Sequence, residues 1–111
     1  MMLYLIRGAD GKVDQSSSGI IVNLDSSTEK LDIQNIKVEV LDYYKSSKTR
    51  STYPSKWRIR IPAKDIDIYI KTDVADQEFI SHRSTFNHYY EGKASVNGNK
   101  NGKAYVELTG Y

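Results

Sequence analysis

The last fifth of the chain, residues 89–111, alternates apolar or small side chains with polar ones in two segments, 89–96 and 104–109. A period of two is the pattern of a half-buried β-strand. The run between the segments, 97–102, is made of asparagine, glycine and lysine, and asparagine and glycine tolerate the positive φ that turns require. The stretch therefore predicts a β-hairpin that carries its apolar side chains on one face.

The side chains also predict a register for this terminal hairpin. Keeping the apolar positions opposite one another pairs Val96 with Ala104, Ala94 with Val106, and Gly92 with Leu108. On the other face, the same register places Lys93 across from Glu107, which predicts a cross-strand ion pair.

A second hairpin is predicted at residues 56–71, around the four-residue loop 62–65. Its apolar and charged positions alternate on both sides of the loop. The predicted pairs are Ile61 with Ile66, Arg60 with Asp67, Ile59 with Ile68, and Trp57 with Ile70. Lys56 opposite Lys71 is the one unfavourable pair.

Shorter segments complete the pattern, with strands predicted at residues 2–7, 19–22, 36–44 and 79–86. Residues 24–35 are polar, with one possible helical turn at 27–31 that Thr28 could cap. The basic, hydroxyl-rich run 45–52 predicts a solvated loop, because a phosphate site would need glycine and a following helix. Seven or eight strands joined by turns predict an antiparallel all-β meander that curls into a barrel or a sandwich.

The totals exclude several classes of protein. The 111 residues suffice for one domain with its own core, and 16 basic against 14 acidic residues are too balanced and too scattered for nucleic-acid binding. No cysteine is present, so disulfides and thiolate chemistry are excluded. No apolar run approaches the ~20 residues of a membrane span. The amino terminus shows no signal-peptide pattern, which leaves the compartment open.

The sequence also predicts neither a metal nor a cofactor. His82 and His88 are evenly spaced and would share one face of a strand, but no motif supplies the third ligand of a zinc site. Neither a phosphate-binding glycine fingerprint nor a serine-nucleophile motif occurs.

Five separated segments, in order and spacing, resemble one known family. They are LYLIRGADGKVDQSSSGIIV at 3–22, YPSKWRIRIP at 53–62, DQE at 76–78, YYEG at 89–92 and GKAYVELTGY at 102–111. Together they resemble the carboxy-terminal domain of the AttH-like family, which includes carotenoid 1,2-hydratases (hydroxyneurosporene synthases) and proteins described as predicted secreted hydrolases. The resemblance implies a lipocalin-like β-barrel, the second of two such domains in full-length members.

Two departures from the family pattern follow. The chain opens in mid-strand without the amino-terminal lipocalin-like domain. We therefore expect residues 1–111 to be one domain of a longer protein, with that domain as its partner, and we expect an incomplete barrel. Tyr90 stands where family members tend to have tryptophan. Family members are often exported, but this chain carries no signal, so its localisation stays open.

The resemblance implies a ligand in or between the barrels and, in characterised relatives, addition of water to an isoprenoid alkene. That reaction needs a protonated carboxylic acid and aromatic faces that stabilise a carbocation. By resemblance, Asp76 and Glu78 are the candidate catalytic acids. The candidate ligand-binding residues are Trp57, Tyr89, Tyr90, Glu91, Tyr105 and Glu107, of which the two glutamates are also competing acids.

A reading without chemistry stays open for the same residues. In it, Asp76 and Glu78 fix a loop, Glu107 pairs with Lys93, and the tyrosines pack in the core.

Three functions are consistent with this sequence. The first is a module that binds an apolar or isoprenoid small molecule or packs on a partner barrel. The second is part of a hydratase-type active site that the missing amino-terminal domain completes. The third is a purely structural barrel, for example in a transporter-associated protein. An interior without a void larger than a few waters would favour the third.

Overall fold

The chain folds into two antiparallel β-sheets, which a computed structural model describes for residues 1–81 and 88–111. The strands in these residues are β1 (Met2–Tyr4), β2 (Ser18–Val22), β3 (Thr28–Asp32), β4 (Lys37–Lys45), β5 (Thr52–Ile61), β6 (Ile66–Thr72), β7 (Glu78–Ile80), β8 (His88–Gly98) and β9 (Gly102–Thr109). Short 3-10 turns occur at Ile33–Asn35 and Pro62–Lys64. No helix in this part of the chain is long and apolar enough to span a membrane.

The three-stranded sheet has the order β1-β2-β3, and the six-stranded sheet has the order β4-β5-β6-β8-β7 with β9 paired to β8. Strand β8 is the longest, and it pairs with β6 and β7 along one edge and with β9 along the other. The sheets do not close on each other. The prediction of an antiparallel, all-β, lipocalin-like and incomplete barrel is therefore confirmed, with nine strands in the described residues rather than seven or eight.

The 56–71 hairpin has the predicted register in every pair. Ile61 lies opposite Ile66, and the unfavourable Lys56–Lys71 pair is also present. Arg58 on the polar face forms a bidentate pair with Asp67, its Nε and Nη2 lying 2.9 and 2.7 Å from the two carboxylate oxygens. Strong alternation of β-branched and charged residues left one register for this hairpin, which is why sequence sufficed to identify it.

The register predicted for the terminal hairpin is wrong by two residues. Ala94 lies opposite Ala104 and Glu91 lies opposite Glu107, so the predicted pair of Lys93 with Glu107 does not form. Lys93 instead lies 3.4 Å from a carboxylate oxygen of Asp73. A two-residue shift keeps every side chain on its predicted face, so alternation alone could not detect the error.

Two other local predictions also need correction. Residues 28–32 form β3 instead of a helical turn, because they pair along their whole length with β2 and bury Leu31. The predicted first strand pairs only at Met2–Tyr4, and Arg7 forms an isolated bridge to Val13. The strand predicted at 79–86 overlaps β7 at residues 79–80, while the rest of that segment lies mostly outside the described residues.

The hydrophobic core lies on the inner face of the six-stranded sheet and is covered in part by the three-stranded sheet. Its buried members are Leu31, Ile36, Trp57, Ile59, Ile61 and Ile68. Leu3 and Ile21 pack against it from the smaller sheet. A surface ion pair between Glu29 and Lys64 also connects the two sheets. Burial of branched apolar side chains is the main favourable contribution to folding here.

Two glycines that flank the last turn allow a matched test of the pairing between β8 and β6. Gly98 has φ of 136°, and a Cβ there would lie 2.4 Å from the backbone oxygen of Asp67, whereas a Cβ on Gly102 would meet nothing within 4 Å. We expect Gly98→Ala to lower the free energy of unfolding by about 2 kcal/mol or more, because backbone must move or strain. Gly102→Ala should change it by less than about 0.5 kcal/mol. Urea unfolding followed by the fluorescence of Trp57 measures the unfolding free energy of both variants. Equal effects would contradict the described pairing of β8 with β6.

Candidate functional site

The Asp76-Gln77-Glu78 motif lies in a bulge along the edge of β8. Thr72 faces Ala94 and Glu78 faces Tyr90, so six steps along one side lie opposite four along the other. Backbone bonds close both ends of this bulge, from Asp73 N to Lys93 O (3.0 Å) and from Glu91 N to Gln77 O (3.2 Å). Bulges of this kind redirect side chains next to a sheet. We call residues 73–77 the edge bulge.

Glu78 binds three hydroxyl groups with its carboxylate. Ser46 Oγ donates to Oε2 at 2.5 Å, and Thr49 Oγ1 and Tyr53 OH donate to Oε1 at 2.5 and 2.8 Å. Two of these donors belong to the loop 46–51, which is closed by a bond from Ser46 N to Ser51 O (2.9 Å). The basic loop is therefore more than the predicted solvated connection, because Ser46 is buried and anchors it to β7.

The hydroxyl bonds keep Glu78 ionised. Partial burial by itself raises the pKa of Glu78, but the bonds from Ser46, Thr49 and Tyr53, with the nearby His88, lower it below its ordinary value. Burial, and then the bond to Glu78, raise the pKa of Tyr53 to about 12, so this phenol stays protonated.

Asp76 contacts the same loop from the exposed side. Its carboxylate lies 2.8 Å from Lys48 Nζ, and this bond lowers the pKa of Asp76 and raises that of Lys48. Asp76 and Glu78 thus hold two points of the loop 46–51. Both are ionised at neutral pH in this arrangement, whereas a proton donor to an alkene must be protonated. The contacts match the alternative in which these residues fix a loop, and their catalytic role stays a prediction.

Gln77 occupies the space above Gly92, which explains why a glycine stands in the YYEG motif. A Cβ on Gly92 would lie 1.9 Å from Gln77 Oε1. Gln77 Nε2 donates to Tyr90 OH (3.3 Å), and that hydroxyl donates to Val74 O (3.0 Å). Sequence reasoning missed Gln77, although the opposed DQE and YYEG motifs were a signal for it.

An aromatic cluster extends from this site to the end of the chain. The ring centroids of Tyr90 and Tyr53 lie 5.2 Å apart, and those of Tyr53 and Tyr111 lie 5.7 Å apart. The Arg7 guanidinium stacks on the Tyr111 ring at 3.6 Å and donates to Gly110 O at 3.1 Å. Neither Arg7 nor Tyr111 was a sequence candidate, because the contact joins opposite ends of the chain.

His88 takes part in a hydrogen-bonded group beside this cluster. Its Nε2 lies 2.8 Å from Ser51 Oγ, which also donates to Tyr111 O at 3.0 Å. The residues described here contain no group of three side chains that could hold a metal ion. His82, the other histidine of the sequence prediction, lies outside the described residues.

The sheet divides the predicted ligand-binding residues between its two faces, because successive residues of a strand point to opposite sides. Trp57 and Tyr90 lie on the inner face and are buried. Tyr89, Glu91, Tyr105 and Glu107 lie on the outer face. The six residues therefore do not form one site.

A cleft of about 340 Å³ opens next to the edge bulge. It is lined by Asp42, Tyr43, Tyr44, Ser55, Lys71, Thr72, Asp73 and Ala75. The irregular pairing of β4 with β5 between Val40 and Tyr43 shapes one wall. Tyr44 also touches the aromatic cluster, 6.2 Å from the ring of Tyr90. None of these lining residues was a sequence candidate.

Substituting Glu78 and Asp76 one at a time compares the stabilising effect of the hydroxyl-bonded carboxylate with that of the exposed ion pair. We expect Glu78→Gln to lower the free energy of unfolding by about 1–2 kcal/mol at pH 7, because one amide oxygen cannot accept all three hydroxyl bonds and partial exposure reduces the loss. Asp76→Asn should produce little change, because its ion pair with Lys48 is solvent-exposed. Chemical denaturation of both variants provides the comparison.

The stability difference between the parent and Glu78→Gln should depend on pH. Because the folded-state pKa of Glu78 lies below its ordinary value of 4.5, its contribution is present above pH 4.5 and is lost as pH falls through the folded pKa. The gap between the two unfolding free energies should therefore narrow below about pH 4.5. A gap constant from pH 7 to pH 3 would show that Glu78 is not held ionised by these bonds.

Comparison with solved structures supports the fold described above. A crystal structure of a protein described as an AttH, from Nitrosomonas europaea, superposes with a TM-score of 0.84 at 25% sequence identity over 96% of this chain. Kievitone hydratase from Nectria haematococca superposes with a TM-score of 0.65 at 21% identity, also over 96% of this chain. The chain spans 33% of the length of each of these proteins.

The search of curated protein sequences found no match. The family model described as AttH-like matches residues 1–111, the whole of the sequence. The alternating strands, the DQE and YYEG motifs and the superposed AttH structure all agree with this match. The chain belongs to the AttH-like family.

Proposed function

We propose that this domain provides one wall of a binding site for a small molecule with an apolar, isoprenoid-like skeleton and at least one polar group. The observation that carries the proposal is the cleft beside the edge bulge, whose volume of about 340 Å³ is at the lower end of the range for ligand sites.

The cleft lining suits a ligand of mixed character. Tyr43, Tyr44 and Ala75 offer apolar surface, while Thr72 and Asp73 offer a hydroxyl and a carboxylate. Tyrosine combines a large apolar body with a polar tip, and it suits a site that must orient a hydroxylated skeleton. We therefore expect isoprenoid alcohols to bind better than saturated hydrocarbons of the same length.

A partner barrel would complete this site. The cleft is open, the described sheets do not close, and the solved relatives are about three times longer than this chain. We therefore propose that an amino-terminal lipocalin-like domain, or its equivalent, covers the cleft and raises affinity by excluding water. The isolated domain would then bind weakly.

A contribution to hydration chemistry is the second candidate, and the Nectria hydratase provides its motivation. In that case Asp76 and Glu78 would act as ionised groups, because the pKa of each is lowered. They would stabilise a carbocation or accept a proton from the attacking water, while the proton donor would come from another part of the site. In a full-length relative, loss of turnover with retained ligand affinity in the variant equivalent to Asp76→Asn would support this role.

An NMR titration of the isolated domain tests the binding proposal. We expect farnesol to produce saturable shifts at Tyr43, Tyr44 and Ala75, with dodecane as the apolar comparison. Ala75→Trp should fill the cleft and weaken binding by about tenfold or more, whereas Tyr105→Ala on the outer face should not affect it.

The result also separates this proposal from a structural barrel. A well-folded domain with no shifts at any farnesol concentration would favour a structural role, the third alternative from the sequence. Shifts centred on Tyr89 and Tyr105 would also contradict the proposed cleft, because neither side chain lines it.

A further inference from the structure

The outer face of the six-stranded sheet exposes three aromatic rings across β7, β8 and β9. Phe79 and Tyr105 are 52% and 68% exposed. Tyr89 packs against Phe79, with ring centroids 5.1 Å apart. We call Phe79, Tyr89, Tyr105 and the two glutamates between the tyrosines, Glu91 and Glu107, the outer patch. Exposed aromatic side chains grouped on one face of a sheet commonly mark an interaction site.

Two carboxylates lie at the centre of the outer patch. Glu91 is directly opposite Glu107 on the neighbouring strand, and like charges in such a pair destabilise a sheet. Tyr105 lies in the next outward-facing pair on one side and Tyr89 in the next on the other. The two carboxylates are therefore flanked by aromatic rings at both ends.

The neighbouring lysines do not neutralise this pair. Lys93 lies 3.4 Å from Asp73, and Lys103 lies 4.0 Å from the same carboxylate and donates to Ser95 Oγ at 3.1 Å. Across residues 1–81 and 88–111, no ion pair reaches Glu91 or Glu107. Partial desolvation, and then the charges of Glu91 and Glu107, raise the pKa of Tyr105, in agreement with its place in the pair next to both acids.

We propose that the outer patch is a docking surface for an arginine-bearing segment of a partner protein. A guanidinium group matches it because its planar fork donates hydrogen bonds to a carboxylate on either side and its face stacks on aromatic rings. Bound between Glu91 and Glu107 and against Tyr105, the cation removes the like-charge repulsion within the sheet. The negative charge disfavours an anionic lipid surface as the occupant.

A matched pair of peptides tests this surface on the intact domain. The probe is acetyl-Gly-Arg-Gly-Arg-Gly-amide, and its control replaces both arginines with citrulline, which keeps the shape and removes the charge. We expect saturable amide shifts at Glu91, Tyr105 and Glu107, with a dissociation constant of the order of 1 mM for this minimal probe. The citrulline peptide should not produce them.

Three variants assign the contributions. Glu107→Gln and Tyr105→Ala should each weaken arginine-peptide binding by about threefold to tenfold. Glu107→Gln should also raise the melting temperature, because it relieves the repulsion between the two glutamates. A raised melting temperature shows that the variant is folded, so weaker peptide binding cannot come from misfolding. Glu39→Gln is the matched control, because Glu39 is an exposed acid on the same sheet at β4, opposite Arg58. It should bind like the parent.

Several results would overturn the proposal. They are no shifts at 10-fold the expected dissociation constant, equal binding of the citrulline peptide, shifts spread evenly over all acidic residues, or unchanged affinity in Glu107→Gln. Sedimentation of the domain alone provides the last check. If the outer patch mediates a dimer that Glu107→Gln dissociates, its occupant is a second copy, and a separate arginine-bearing partner is excluded.

Discussion

The carboxylate of Glu78 is the interaction on which the site depends. It accepts bonds from Ser46, Thr49 and Tyr53, and so joins the loop 46–51, the start of β5 and the start of β7 at one point. An ionised acceptor makes stronger bonds than a neutral one, and the donors lose little by orienting toward it. Without this group, the edge bulge would rely on the exposed pair of Asp76 with Lys48 for its contact with the loop.

The sheet gives its two faces separate tasks. The inner face carries the core and the tyrosine cluster, the outer face carries the outer patch, and the cleft lies beside the edge bulge. Motif YYEG illustrates the division, because Tyr90 and Gly92 point inward and Tyr89 and Glu91 point outward. Substitutions in one short motif can therefore affect packing or surface recognition separately.

Sequence reasoning recovered those parts of the fold that depend on local alternation. It identified the 56–71 hairpin with its register, because three apolar pairs and an opposite-charge pair agreed on one alignment. It missed β3, since TEKLD buries one apolar side chain and otherwise looks like a polar turn. The terminal register failed because small residues define a face but place few constraints on which residue lies opposite which.

The candidate site was less predictable because its contacts span long distances in the chain. The resemblance pointed to Asp76 and Glu78, but their partners Lys48, Ser46 and Thr49 lie about 30 residues away in a loop with no apolar pattern. Gln77 and Arg7 were missed for the same reason. Alternation along the strand does predict that Tyr89 and Tyr90 point to opposite faces of the sheet. Assigning both to one site because both are tyrosines overlooked that prediction.

The division into two sheets has a consequence for cooperativity. The three-stranded sheet and the six-stranded sheet have separate backbone ladders, so side-chain packing around Leu31 and contacts such as Glu29 with Lys64 hold them together. A unit attached mainly by side chains can detach while the larger sheet stays folded. Amide hydrogens of β1–β3 would then exchange with solvent through a sub-global opening, and those of β5, β6 and β8 only through complete unfolding.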